Sequence, residues 1–347
     1  MNLSRWKTWA CTASLVAAGV ISAQAQGNVF NTPGNVLISD QYNNRLIEVN
    51  PDNNTVVWRF GSGSSVAGPH SVVGVNDAQR VGDLTLVAGT GVPAGAEPTC
   101  PNGCADNRVM LIGKNGVIQW QYGKAGVTGS GPNELNAPVQ NTYLPSGNVL
   151  ITDQGNMRII EVNMAKQIVW QYGQTGVAGA GFNQLNNPNS AELLTNGHVL
   201  IADESNNRVI EVKHNKQIVW SYGCATCSEL NGAAFASRLP DGSTLITDGG
   251  NNRIVDVDSK GKVVWTYYTN MRAGSVSNPS PSRALMLKNG NVLISDQNNM
   301  QVIEIDSKFN IVWSQGQIAV PGTGFDMLNG PYDAKVIGDY TGITSPF

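Results

Sequence analysis

The stretch GNVLITDQGNMRIIEVNMAKQIVWQYG at 147–173 returns almost word for word later in the chain. It appears as GHVLIADESNNRVIEVKHNKQIVWSYG at 197–223 and as GSTLITDGGNNRIVDVDSKGKVVWTYY at 242–268. The same ending recurs around Trp58, Trp120, Trp170, Trp220, Trp265 and Trp313, at spacings of 62, 50, 50, 45 and 48 residues. A self-similar unit of this period restricts the chain to a propeller or a solenoid. The interior of the unit decides between them.

Each unit holds short β-rich runs broken by Asn, Gly and Asp. In the unit at 147–173 these are Val149–Asp153, Arg158–Val162 and Gln167–Gly173, with a fourth run, Gln140–Leu144, in front. Alternating runs of this length between turn residues are antiparallel strands, and no segment carries a sustained helical period. The sequence therefore predicts an all-β fold, a six-bladed β-propeller of four-stranded antiparallel blades. The blades fall at approximately 27–61 with 330–343, 69–123, 138–173, 188–223, 233–268 and 281–316, in one domain spanning 27–347. Gly330–Ile337 matches the first strand of other units but has nothing after it. It is expected to pair with Val36–Ser39, joining the two ends and removing an open sheet edge. The tryptophans lie on the last, outermost strand, where blades diverge. Large rings at that place are expected to fill the gap between blades rather than to stack on a ligand.

A turn motif accompanies each strand pair. Asp40, Asp153, Asp203 and Asp248 are each followed five residues later by Arg45, Arg158, Arg208 and Arg253, with Asn43, Asn156, Asn206 and Asn251 between. Asparagine tolerates a left-handed backbone and caps its own turn, so it suits the hairpin. Blade six has Asp296 and Asn299 but Gln301 in place of arginine. Blade two lacks the aspartate and inserts Gly89–Ala105. A feature repeated in most blades is expected to build the blades, because a single site would need it once.

The loops GVTGSGPNELNAP at 126–138 and GVAGAGFNQLNNP at 176–188 recur in shortened form at 322–331. With the Asp-x-x-Asn-Asn-Arg turn, they resemble NHL-repeat propellers across essentially the whole of 27–347. The Val-Val-Trp strand ending is also similar to quinoprotein-type and arylsulfotransferase-type propeller repeats. The NHL resemblance implies the fold and leaves the chemistry open, since that family includes binding modules, scaffolds and a few lyases. A Thr-Gly-Lys docking turn of the quinoprotein kind is absent from the sequence, so no quinone or other cofactor is expected.

The first 26 residues read as a cleavable export signal: Arg5 and Lys7, an apolar stretch from Ala10 to Ile21, then Ala23-Gln24-Ala25. The expected location is secreted or periplasmic. The apolar stretch is too short to span a bilayer comfortably and no later one is longer, so no membrane span is expected. Taking Arg5 and Lys7 from the 22 basic residues leaves 20 against 25 acidic ones. A chain of that balance is not suited to nucleic acid. Four cysteines remain in two local pairs, Cys100 with Cys104 and Cys224 with Cys227. In an oxidising compartment they read as two disulfides, with a four-thiolate zinc site as the alternative.

Site candidates come from positions that differ between blades. Just after the residue opening each first strand stand His70 and Ser71, Gln140, Asn189 and Ser190, Ala234 and Phe235, Ser282 and Arg283, and Tyr332 and Asp333. Two places deeper are Thr142, Glu192, Ser237 and Lys335. These form the expected channel mouth, on the face that also collects the long loops, the blade-two insertion and both cysteine pairs. His70, Gln140, Asn189, Arg283, Tyr332 and Asp333 are the ligand-binding candidates, for a small polar ligand or a peptide. His70, Glu192, Arg283 and Asp333 are the candidates for catalysis, with His70 paired to a carboxylate as acid and base. The three histidines are too scattered for a multi-histidine metal centre, and no metal ligands are assigned; oxygen-rich mouths of six-bladed propellers can take calcium. The two functional expectations are an exported binding or scaffold module, and a propeller enzyme of the lyase, lactonase or sulfotransferase kind.

Overall fold

A computed structural model describes residues 30–347; the predicted export signal lies outside the described residues. Six four-stranded antiparallel sheets follow one another in chain order around a common channel. Blade three shows the plan: Pro138–Tyr143 lies innermost, then Val149–Asp153, Arg158–Val162 and, outermost, Ile168–Tyr172. Blade one is closed as the repeat requires: Pro331–Val336 pairs with Val36–Asp40, Val36 opposite Val336 and Ile38 opposite Ala334. Among the described residues no helix is long and apolar enough to cross a membrane.

The core is a set of layers between blades. Leu150, Ile159 and Trp170 of blade three pack on Val199, Ile201 and Ile210 of blade four. Equivalent clusters join each remaining neighbouring pair, including blade six to blade one through Leu293, Val302, Val36 and Ile47. The indoles act as expected and add a clip. Trp58, Trp120 and Trp170 donate Nε1–H to the carbonyls of Lys114, Met164 and His214, each in the next blade's outer hairpin, at 2.9, 3.0 and 2.9 Å. Trp313 closes the ring by donating to Asn54 Oδ1 at 2.9 Å.

The repeated aspartates are structural. Asp40, Asp153, Asp203 and Asp248 pair with Arg45, Arg158, Arg208 and Arg253 at 2.6–2.7 Å. Each also accepts from the side chain of its turn asparagine and from a backbone N–H of the loop entering its blade. The left-handed residue of the turn is not that asparagine but the one after it: Asn44, Met157, Asn207, Asn252 and Met300 all have φ between 48° and 57°.

The two irregular blades rebuild the same pair from other residues. In blade two Gly89 takes the aspartate's place in the sheet register, and Asp106 from the next strand supplies the carboxylate. Asp106 pairs with Arg108 at 2.5 Å and accepts from Val73 N–H at 2.8 Å. A Cβ on residue 89 would stand 2.5 Å from the Asp106 carboxyl carbon, which is why glycine occupies it. In blade six Arg272, from the loop before the blade, reaches Asp296, and its other nitrogen donates to Gln301 at 3.0 Å.

Candidate binding site at the channel mouth

Pairing register aligns the inner strands and corrects one sequence reading. Blade two's inner strand is Val75–Val81, with Val75 opposite Gly89 as Pro188 is opposite Asp203. Asn76 and Asp77, not His70 and Ser71, are therefore the blade-two counterparts of Asn189 and Ser190. Pro69 resembles the strand-opening prolines, but Pro69 and His70 form a turn closed by a bridge between Gly68 and Ser71. His70 is exposed there, and Gly68 and Pro69 line a hollow with Gln119, Trp120 and Gln121 of the outermost strand. His198 pairs with Glu211 at 2.6 Å and His214 lies 5.9 Å from the Trp170 ring. None of the three histidines lines the mouth.

Residues two apart on an inner strand face the channel together. At the upper of two levels, Asp77, Gln140, Ser190, Phe235, Arg283 and Asp333 share one register position. Asp333, Asp77 and Gln140 each accept the backbone N–H of the next blade, from Ala78 at 3.2 Å, Asn141 at 3.2 Å and Ala191 at 2.7 Å. These three side chains stitch four blades together near the axis. Arg283 lies over the Phe235 ring at 4.2 Å and forms ion pairs with Asp77 at 2.9 Å and Asp333 at 2.6 Å. Lys335, one level down, reaches the same two carboxylates at 2.6 Å each and donates to the Ala78 carbonyl at 2.9 Å. Two cations and two carboxylates thus balance in a buried cluster. Burial works to raise Asp77's pKa, but Lys335 and Arg283 outweigh it and hold that carboxyl below its ordinary value. Burial prevails at Asp333, whose pKa lies above it.

Below the cluster the channel is closed by the chain itself. Thr344 donates its N–H and hydroxyl to Glu192 at 2.9 and 2.6 Å, while Gln140 donates to the other oxygen at 2.7 Å. Gln79 donates to the Thr344 carbonyl at 3.0 Å. Burial raises the Glu192 pKa, opposed by the Thr344 bonds and the cations above. Glu192, Arg283 and Asp333, read from sequence as catalytic candidates, are thus brought close together, with Arg283 and Asp333 ion-paired, Glu192 held by Thr344 and Gln140, and His70 elsewhere.

Above the cluster the channel opens into a cavity of about 570 Å³. Its floor includes Asn76, Asn189 and Tyr332; its sides include Gln41, Gln154, Glu204 and Gln297. Those four are the first residues of the 3-10 turns that follow the repeated aspartate in blades one, three, four and six. The blade-two insertion forms one wall, with Pro93, Ala94, Asn102 and Gly103 on the lining. A disulfide between Cys100 and Cys104 ties its base, and Cys100 packs on Val73 and Val92. A second disulfide joins Cys224 and Cys227 in the loop between blades four and five, so the four-thiolate zinc alternative is overturned. Among the described residues no group of three or more His, Cys, Asp or Glu gathers to hold a metal.

The lining is a chain of amides. Gln297 donates to Gln41 and Gln41 to Asn76, both at 2.7 Å. Asn189 donates to Glu204 at 2.8 Å and Gln154 donates to it at 3.3 Å. The Tyr332 hydroxyl and Asn189 bond each other at 2.9–3.1 Å. The cavity carries no lysine, arginine or histidine, and Glu204 is its single acid. Desolvation raises the Glu204 pKa, offset only by the Asn189 bond. The Tyr332 phenol is pushed up strongly by burial and by Glu204. Gln41, Asn76, Gln154, Glu204 and Gln297 were missed in the sequence. For all of these but Asn76, the signal was the residue directly after each repeated aspartate, which reads Gln, Gln, Glu, Gly and Gln in blades one, three, four, five and six.

With this geometry in hand, comparisons with known proteins place the chain. Residues 105–326 match the repeat family described as outer membrane protein assembly factor BamB. The chain belongs to this family. The match is of the quinoprotein repeat type, which the Val-Val-Trp ending resembled; it does not show the NHL family specifically. A search of curated proteins returned no match. Among solved structures, a Bacteroides caccae protein of unknown function is 18% identical, with a TM-score of 0.58 over 82% of this chain and 93% of the other. Virginiamycin B lyase from Staphylococcus aureus is 15% identical, with a TM-score of 0.52 over 83% of this chain and 82% of the other. These likenesses are of fold. In this BamB-family propeller the mouth of the ring carries an amide girdle, an inserted wall and one carboxylate.

Proposed function

We propose that this BamB-family propeller is an exported, non-catalytic binding module that takes a small polar ligand or a protein segment at its loop-rich mouth. The observation carrying this reading is the contrast within the channel: an open, amide-lined cavity stands above a cluster whose charges are balanced. Amides offering both donors and acceptors from a rigid ring suit recognition rather than proton transfer. The export reading draws on the N-terminal sequence and fits the two disulfides. The family's description as an outer membrane protein assembly factor fits a module that works by binding.

The enzyme alternative, as read from the sequence, paired His70 with Glu192 or Asp333, and the separation of His70 from both carboxylates weighs against that pair. The test is retention from an extract of the exported fraction, with retained small molecules and proteins identified by mass spectrometry. The wild-type protein is expected to retain a species that the Asn189→Ala/Tyr332→Ala variant loses and His70→Ala keeps. Loss on His70→Ala, or a stoichiometric metal lost on Glu192→Ala, would instead favour the enzyme.

A further inference from the structure

Glu204 stands out because the acids inside the channel, Asp77, Asp333 and Glu192, each have a cation or a closed set of donors. Asp77 and Asp333 share Arg283 and Lys335. Glu192 is enclosed by Gln140 and Thr344. Glu204 is partly accessible at the cavity wall, and its bonds come from two uncharged amides, Asn189 and Gln154. The groups facing it from neighbouring elements are those amides and Tyr332, and no cationic side chain lines the cavity. Glu97, in the insertion, bonds Asn329 and adds a second negative charge near Tyr42, whose phenol is raised by burial and then by that carboxylate.

A carboxylate drawn out of water without a counter-charge is costly, and a bound cation removes that cost. We infer that the mouth is a site for a small organic ammonium ion, with Glu204 as its counter-charge and the lining residues Tyr42 and Tyr332 as aromatic partners. This rests on the mouth being the ligand site. Three features set the ligand class. The cavity is of small-molecule size, at about 570 Å³. Tyrosine rings attract ammonium groups through their π faces. A bare metal ion fits less well: it needs several converging oxygens, whereas Asn189 and Gln154 turn their NH2 groups toward Glu204, and Asn189 Oδ1 already accepts from Tyr332. Glutamine is the residue that blades one, three and six carry at the equivalent place, so Glu204→Gln is the conservative neutral exchange.

The test is calorimetric titration of the full-length mature protein with tetramethylammonium chloride, pivalate and tert-butanol, with backbone NMR to locate any change. Glu204→Gln is the variant and Glu97→Gln the control, both checked for native near-UV circular dichroism. Tetramethylammonium should perturb Asn76, Asn189 and Tyr332 and bind on the order of tenfold or more weaker to Glu204→Gln, with pivalate excluded. Glu97→Gln should change the affinity less. If tert-butanol occupies the mouth as well as tetramethylammonium does and Glu204→Gln changes neither, the ammonium assignment is wrong while the mouth remains a ligand site. If no probe perturbs the mouth and another surface responds instead, the ligand site itself is misplaced.

Discussion

Arg272→Ala tests whether blade six rebuilds the ion pair of the other blades. Asp296 is fully buried. Its counterparts in the other five blades each accept a backbone N–H as well as an arginine bond. Asp296 accepts from Asn299 at 2.7 Å, and Arg272 is its ion-pair partner. Removing Arg272 leaves a buried carboxylate with no cation, a change that costs about 3–5 kcal/mol. The second arm is rescue. In blades one, three, four and five the arginine at the start of the third strand reaches its aspartate at 2.6–2.7 Å, and Gln301 holds that place in blade six. Arg272→Ala/Gln301→Arg should recover to within about 1 kcal/mol of wild type. The assay is equilibrium urea unfolding followed by tryptophan fluorescence, since the indoles sit at blade interfaces. Burial already raises the Asp296 pKa against the opposing pull of Arg272 and Asn299, and loss of Arg272 raises it further. The unfolded chain ionises near pH 3.9, so the folded variant holds its proton more tightly and loses stability as pH rises through the folded pKa. The deficit should therefore be larger at pH 8 than at pH 5. A single-variant loss below about 1 kcal/mol, or a double variant no better than the single, would refute the replacement argument.

Three further outcomes follow from named contacts. Met157 and Met300 occupy left-handed turn positions, with φ of 56° and 57°, and their sulfurs accept the N–H groups of Asn187 and Gly330 at 3.1 and 3.2 Å. Asparagine holds this position elsewhere, so Met157→Asn should raise stability by about 0.5–1 kcal/mol in urea unfolding. Trp170→Phe removes buried ring area and the Nε1–H bond to the His214 carbonyl, and should cost about 1–3 kcal/mol by the same measurement. Glu204→Gln should raise the melting temperature at pH 7–8 and approach wild type near pH 4. The folded Glu204 pKa is raised by desolvation, so the wild-type protein loses stability as pH rises from the unfolded value near 4.3 through the folded one, and glutamine does not titrate.

The ring was legible because the period, the strand alternation and the turn residues agreed at every copy. Ring closure by Pro331–Val336 was legible for the same reason: an unpaired copy of one strand needs a partner. Substitutions across blades were not. A period cannot show that Asp106 replaces an aspartate from the preceding strand, or that Arg272 replaces an arginine from the following one, because both act from neighbouring segments. His70 was misplaced by a proline that imitated a strand start, six residues before the backbone enters the sheet at Val75. The structure places Gln140, Asn189, Arg283, Tyr332 and Asp333 at the channel, at levels that were not visible in the sequence. Arg283 and Asp333 lie in the balanced cluster, whereas Asn189 and Tyr332 face the open cavity. The plug by Thr344 was not foreseen because that segment repeats nothing.

Charge is balanced within the channel, and Glu204 at its mouth is the carboxylate left without a cation. The most direct measurement is a 13C NMR titration of the Glu204 side-chain carboxyl, without and with saturating tetramethylammonium. The account predicts ionisation above the ordinary glutamate range in the free protein and a fall toward that range when the cation is present. Ionisation at the ordinary value, unmoved by the cation, would contradict it.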